Sequence, residues 1–350
     1  MTPTVVRLAL RRTLRDVKYV RPVRPRRATG LVRSVYTQLE RDFGLLAPPI
    51  GLHSPSPGVL AASWAMLRES LVAAGVASRA DKEVVAAAVS QANACPYCVE
   101  VHGMALASAG RAEAAAAIAD DRAADIGDPA TRRLARWAAG GDVEPEVGPA
   151  ALSELIAVAV SFQYLNRMVE VFLGRSPLPD AVPESARATT RAVLGRFLRP
   201  GEAPAAGSAV DLLPAAGTPA DFGWAAGNPV VAEAFARAAA AIEAAAERVT
   251  SPAVRAVVLR ELASWDGRPP GISRVWTEPA LVDLPEDERP LARLALLTAL
   301  CPSQVDDQVI EDFRRVRSDD AALVELAAWA SLSAARTLGA RMPGAVATTA

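Results

Sequence analysis

Followed along its apolar positions, the chain resolves into segments of helical period separated by proline- and glycine-rich stops. Apolar residues three and four apart predict helices near 59–75, 81–92, 96–110, 111–120, 129–139 and 150–173. Asp81 is expected to cap the second of these. Pro48-Pro49-Ile50-Gly51 and Ser54-Pro55-Ser56-Pro57-Gly58 predict a loop before the first, and Gly174, Pro177 and Pro179 close the last. Residues 176–228 are rich in Pro, Ala and Gly, with one expected helix at 185–197, and serve as a connector. Helical period resumes at 229–247, 252–264, 288–300, 305–316 and 320–338. No alternating β-branched run flanked by hairpin turns occurs, so the expected fold class is all-α.

The pattern repeats. Pro57-Gly58-Val59 and the helices after it align with Pro229-Val230-Val231, 172 positions later. Leu134-Ala135-Arg136 matches Leu291-Ala292-Arg293, and Leu152, Glu154 and Leu155 match Leu323, Glu325 and Leu326 at an offset of 171. The offset dips between these blocks, so the second copy has its gap and insertion elsewhere. The expected division is a basic arm at 1–35, a first unit at 36–175, a connector at 176–220, a second unit at 221–340 and a tail at 341–350.

Composition narrows the class. The 350 residues are 51% hydrophobic but only 5% aromatic, and alanine supplies most of the excess. Alanine is the best helix former. No uninterrupted apolar run approaches the roughly 20 residues of a membrane span, so no membrane partner is expected. Three cysteines and no visible signal peptide point to a cytoplasmic protein rather than a disulfide scaffold. A net charge of -1 argues against a charge-driven nucleic-acid binder. The charge is nevertheless uneven: residues 1–35 carry ten basic side chains against Asp16 alone, a net +9 that leaves -10 for the rest. Leu10, Leu14 and Val17 fall at helical spacing, and Pro22 and Pro25 stop any helix there. Such a start resembles a transit peptide in composition; the alternative is a basic arm packed on the protein's own acidic body or on a neighbouring subunit.

The chemistry concentrates in Gln91-Ala92-Asn93-Ala94-Cys95-Pro96-Tyr97-Cys98-Val99-Glu100-Val101-His102. Pro96 is a preferred first helical residue. It places Cys95 at the cap, Cys98 in a first turn whose free N–H groups favour an anion, and His102 one turn further on the same face. Lowering a thiol pKa from about 8.5 to about 6.5 requires roughly 2.7 kcal/mol. An exposed helix terminus supplies about 0.3–1 kcal/mol, so His102 is the expected source of the rest. A reactive thiolate beside a second thiol suits peroxide reduction or disulfide exchange.

With Glu83 eleven residues before Cys95, the string reads E-x11-C-x2-C-x3-H. It resembles the AhpD-like alkyl hydroperoxidases of the carboxymuconolactone decarboxylase superfamily, closely over 43–173 and more weakly over 222–340. The resemblance implies two tandem AhpD-like helical units and a homo-oligomer, trimer or dimer. It also implies hydroperoxide reduction through a dithiol, in which Cys98 attacks the peroxide, Cys95 resolves the sulfenic acid, and Glu83 and His102 relay protons through water. Electrons would come from an external dithiol, protein or lipoyl, with no organic cofactor or metal. One departure is Tyr97, where studied members carry a histidine; it bears on the activation of Cys95 and on the rate of re-reduction.

Carrying the offset of 172 through the motif puts Arg255, Gly267, Pro270 and Arg274 opposite Glu83, Cys95, Cys98 and His102. Asp266-Gly267-Arg268-Pro269-Pro270-Gly271 reads as a turn, so the second unit is expected to keep its core and lack the chemistry. Cys95, Cys98 and His102 could bind a metal with His53 or Glu83 as fourth ligand. Cys-Pro-Tyr-Cys is also a glutaredoxin string, but that fold places it after a strand. A lactone decarboxylase needs no dithiol, and a non-enzymatic redox sensor could use the same two cysteines. His53 is expected to pack a loop, Trp64 and Tyr164 to line the core or a pocket, and Cys301 to be buried and inert.

Overall fold

The computed structural model describes residues 11–178, 182–198, 202–342 and 344. Arg7 and Leu10 of the arm, Pro179 of the connector and most of the tail lie outside them. Helices are opened by residues suited to the task. Pro57, Pro96, Pro129, Pro149, Pro229 and Pro252 each stand at a helix start, where a missing N–H is harmless.

In chain order the longer helices are α1 Gly30–Asp42, α2 Pro57–Leu67, α3 Arg79–Ala92, α4 Pro96–Ser108, α5 Ala112–Ala119, α6 Pro129–Ala138 and α7 Pro149–Phe172. They continue with α8 Glu184–Leu198, α9 Pro229–Val249, α10 Pro252–Ser264, α11 Arg289–Leu300, α12 Asp307–Val316 and α13 Asp320–Ala340. No strand occurs among the described residues, so the fold is all-α. Two local expectations are corrected. Ser78, not Asp81, caps α3, because its hydroxyl accepts from the Asp81 N–H at 3.1 Å. The expected 59–75 helix is α2 continued by a wider π turn at Arg68–Val72, built around the buried Arg68–Glu69 pair.

The two units pack through equivalent helices. α2 lies against α9 and α7 against α13, each on its own counterpart, as in a two-fold isologous interface. The polar contacts are reciprocal as well. Asn228, which caps α9, donates to Glu154 at 3.0 Å, and Ser56, which precedes α2, donates to Glu325 at 2.8 Å. Glu154 also holds the buried Lys82 ammonium at 3.0 Å. The departures from symmetry lie where the offset dips: between α10 and α11 only two four-residue helical turns, Arg274–Thr277 and Glu278–Leu281, stand in the place of α4, and α12 has no partner between α6 and α7. Residues 265–273 form turns and irregular backbone there, as the Pro/Gly pattern predicts.

α7 is long and apolar enough to cross a membrane by length and composition, but 89% of its most apolar window is buried inside the protein. It is the central core helix. The described part of the basic arm packs on the second unit through polar contacts at Tyr19 and the Arg21 backbone. The Tyr19 hydroxyl donates to Asp307 at 2.9 Å, the Arg21 N–H to Asp320 at 2.8 Å, and Arg314 to the Tyr19 carbonyl at 2.7 Å. Helix α1 crosses the boundary drawn at residue 35. The connector is anchored rather than loose: Glu69 accepts from the Gly207 and Ala209 N–H groups at 2.7 and 2.9 Å. α8 lies along α4, tied by Arg191 to Glu100 at 2.6 Å.

Candidate active site

The turn between α3 and α4 sets the site. Cys95 N–H donates to Ser90 O and Ala94 N–H to Gln91 O, the pair of bonds that ends a helix in a Schellman motif. That motif needs a left-handed residue, and Ala94 takes it at φ 51°, where glycine is usual. Cys95 thereby becomes the cap of α4, with Pro96 first and Cys98 third in the helix. Both thiols are free and buried.

Glu83 and His102 meet as the spacing suggests. His102 Nδ1 donates to Glu83 Oε2 at 2.7 Å, and Arg79 donates to Glu83 Oε1 at 2.8 Å. Burial alone would raise the Glu83 carboxyl, but the Arg79 charge, His102 and their hydrogen bonds outweigh it and hold it below its ordinary value. With Nδ1 on the carboxylate, Nε2 is the ring nitrogen left for other partners. Phe162 stands edge-on to that ring, centroids 4.4 Å apart.

Cys98 differs from its expectation. Burial first, then the neighbouring Cys95 thiol, push the Cys98 thiol well above its ordinary pKa, while Asn166 acts in the opposite direction. Cys98 therefore rests as a protonated thiol sheltered from water. Burial likewise raises the Tyr97 phenol, which stays protonated. A cavity of about 70 Å³ adjoins them, lined by Tyr97, Cys98 and His102 and by apolar side chains including Phe43, Leu45, Ile50, Phe162, Leu165 and Leu194. Cys95 is not among its lining residues. A groove of about 740 Å³ beside α6 is larger, but it brings together Arg132, Arg136, Asp81 and Glu146 with no thiol or imidazole.

Residues that the sequence alone did not single out complete the site: Arg79 on Glu83, Asn166, Ser90 and Asn93 beside the cysteines, and Leu194 of the connector on the cavity. Arg79–Glu83 has the i, i+4 spacing of a helical ion pair and could have been found so. Among the described residues no group of three or more His, Cys, Asp or Glu side chains could hold a metal ion. Cys301 is buried, with Ser303 Oγ 3.7 Å from its sulfur.

His53 and Tyr164 belong to the core. His53 donates from Nδ1 to Ile50 O at 3.1 Å and accepts at Nε2 from the Tyr164 hydroxyl at 2.8 Å, which also meets Ser63. Burial holds the His53 pKa down to about 3 from an ordinary 6.5. The unfolded chain takes up this proton below pH 6.5 and the folded one only near pH 3. The contribution is thus complete above pH 6.5 and is lost as pH falls through that window, by at most about 1.4 kcal/mol per pH unit. Urea unfolding at pH 7 and pH 4.5 should show this slope in the native protein and a shallower one in His53→Gln; equal slopes would remove His53 as its source.

The model of the carboxymuconolactone decarboxylase family matches residues 59–140. The chain is 38% identical over 334 residues to a Mycobacterium tuberculosis protein named alkyl hydroperoxide reductase, covering 93% of this chain and 95% of that one. No solved structure matches.

Proposed function

The chain belongs to the AhpD-like, carboxymuconolactone decarboxylase superfamily, and from that premise we propose that it is a thiol-dependent peroxidase of organic hydroperoxides. The observation that carries this reading is that Cys98 lines the apolar cavity together with His102, whereas Cys95 does not line it. The relative named alkyl hydroperoxide reductase supports it.

The chemistry runs in two steps. His102 Nε2 accepts the Cys98 proton, and the thiolate attacks the terminal peroxide oxygen; the O–O bond breaks, giving Cys98 sulfenic acid and, with the proton returned, an alcohol. Cys95 then attacks the Cys98 sulfur, forming the disulfide and releasing water. An external dithiol, protein or lipoyl, restores both thiols, so the cycle suits a reducing compartment such as the cytoplasm. Glu83, kept ionised by Arg79, stabilises the imidazolium formed in the first step. The apolar cavity favours catalysis over a pure redox sensor, which needs no substrate space, and favours alkyl over hydrogen peroxide. The second unit acts as a packing partner, and assembly into a dimer or trimer of such chains completes the reading.

Steady-state consumption of cumene hydroperoxide with excess dithiothreitol tests it: turnover dependent on Cys98 is expected, and a single stoichiometric oxidation without turnover would favour a sensor. The relay gives a separate expectation. Glu83→Gln and His102→Asn should each displace the pH–rate profile upward, with about tenfold less activity per unit of displacement below the thiol pKa. A profile unchanged between pH 6 and 9 would remove that residue from the relay.

A further inference from the structure

We propose that the connector supplies the wall that selects the substrate: Leu194, held against the Cys98–His102 cavity by a latch on Glu100, sets the size of the hydroperoxide that reaches the thiol. The assignment rests on the peroxidase reading above.

The latch is a single carboxylate. Glu100 follows Cys98 by two residues on α4 and takes hold of both ends of the connector wall. Its Oε2 accepts from Ser176 Oγ at 2.9 Å, and its Oε1 from Arg191 Nε at 2.6 Å. Pro177 comes directly after Ser176, and Leu194 stands about one helical turn after Arg191. Pro177 and Leu194 both line the cavity. Gly195 lets α8 come close enough to α4 for this. A Cβ there would come within 3.0 Å of Ser108 Oγ, which donates to the Gly195 carbonyl at 2.9 Å.

This wall is held more weakly than the others. Ile50, Leu67, Phe162 and Leu165, which also line the cavity, are part of the main apolar core or pack within it. Leu194 packs instead on a small separate cluster of Leu45, Ala47 and Ala105. Its polar tie is open to water, since the Arg191 side chain is 45% exposed. Segments with few buried apolar contacts and exposed polar ties open at the lowest cost, so the connector is the wall that gives.

Size decides which substrates need it to give. The cavity holds about 70 Å³, whereas a cavity that takes up benzene measures roughly 150 Å³. Cys98 itself is 3% exposed. A hydroperoxide carrying an aromatic ring therefore reaches the sulfur only by displacing Leu194, and a short alkyl hydroperoxide needs less displacement. The cost of moving one leucine becomes a preference among hydroperoxides, expressed before any bond is broken.

The test compares two alkylating reagents on Cys98 of the reduced full-length protein, iodoacetamide and the bulkier N-phenylmaleimide, with the site located by mass spectrometry. Both consume the same thiolate, so the ratio of their rates is insensitive to the thiol pKa. Leu194→Ala should speed N-phenylmaleimide about tenfold and iodoacetamide less than about twofold. Arg191→Met, an exposed substitution that keeps the reading available should Leu194→Ala fail to fold, should raise the ratio about two- to fivefold. Arg191→Lys, which keeps a cation for Glu100, should hold it near the native value. The ratio of kcat/KM for cumene hydroperoxide to that for ethyl hydroperoxide should rise in Leu194→Ala in the same way. An unchanged ratio in Leu194→Ala overturns the wall, and so does equal acceleration of both reagents, because loosened packing would explain it. A ratio unmoved by Arg191→Met overturns the latch. Alkylation needs no peroxide: a protein that turns over no hydroperoxide, with the reagent ratio still raised by Leu194→Ala, would sink the peroxidase reading alone.

Discussion

Cys98→Ser is expected to abolish hydroperoxide consumption, because it removes the one thiol that lines the cavity with His102. A serine hydroxyl in the same place is a far weaker nucleophile at neutral pH. Cys95→Ser should behave differently. It keeps the attacking sulfur and loses the resolving one, so each chain should undergo one oxidation and stop with a sulfenic acid on Cys98. Dimedone trapping followed by mass spectrometry reads this directly. Sulfenic acid on Cys95 in the Cys98→Ser chain, with the Cys95→Ser chain inert, would reverse the two roles.

Removing the second unit should be as severe for the fold as Cys98→Ser is for the chemistry. The faces of α2 and α7 now covered by α9 and α13 would meet water. Val160 packs so closely on α13 that a Cβ on Gly339 would come within 2.4 Å of it. Arg167 is buried with its guanidinium on Ala299 O at 2.8 Å and beside the Trp265 ring, and a fragment would lose both contacts and keep only the bonds to Gln163. Losing a hydrogen bond to a charged group of this kind costs about 1.5–3 kcal/mol, and each large side chain uncovered costs about 1.5–3 kcal/mol more. A few such losses exceed the roughly 5–15 kcal/mol that holds a domain together. A fragment ending at residue 220 should therefore be insoluble or lack a cooperative unfolding transition. A soluble, monomeric, fully active fragment would contradict the packing role of the second unit.

Period and punctuation made most of this architecture legible. Prolines marked the start of six helices, and the displaced offset between the two copies located both the missing counterpart of α4 and the inserted α12. What escaped was hidden by charge or by distance along the chain. α1 was absorbed into the basic arm, although Val32, Val35, Tyr36 and Leu39 repeat at helical spacing and are buried. The connector's composition gave no sign that Glu69 would pin it or that Leu194 would reach the cavity. Local spacing brought Glu83, Cys98 and His102 into view, since a helix pair fixes their relation. Asn166 stands 73 positions after Asn93, and only the packing of α7 against the turn that carries Cys95 makes the two neighbours. The helix terminus and His102 suggested a lowered thiol pKa from local structure alone, while burial, a tertiary effect, raises it.

The measurement that bears most directly on the account is a thiol count in denaturant before and after one equivalent of hydroperoxide. The reduced chain should show three thiols, from Cys95, Cys98 and Cys301. After oxidation one should remain, on Cys301, and dithiothreitol should restore the other two. Three thiols surviving the peroxide, or the loss of a single thiol that dithiothreitol does not return, would contradict the dithiol cycle.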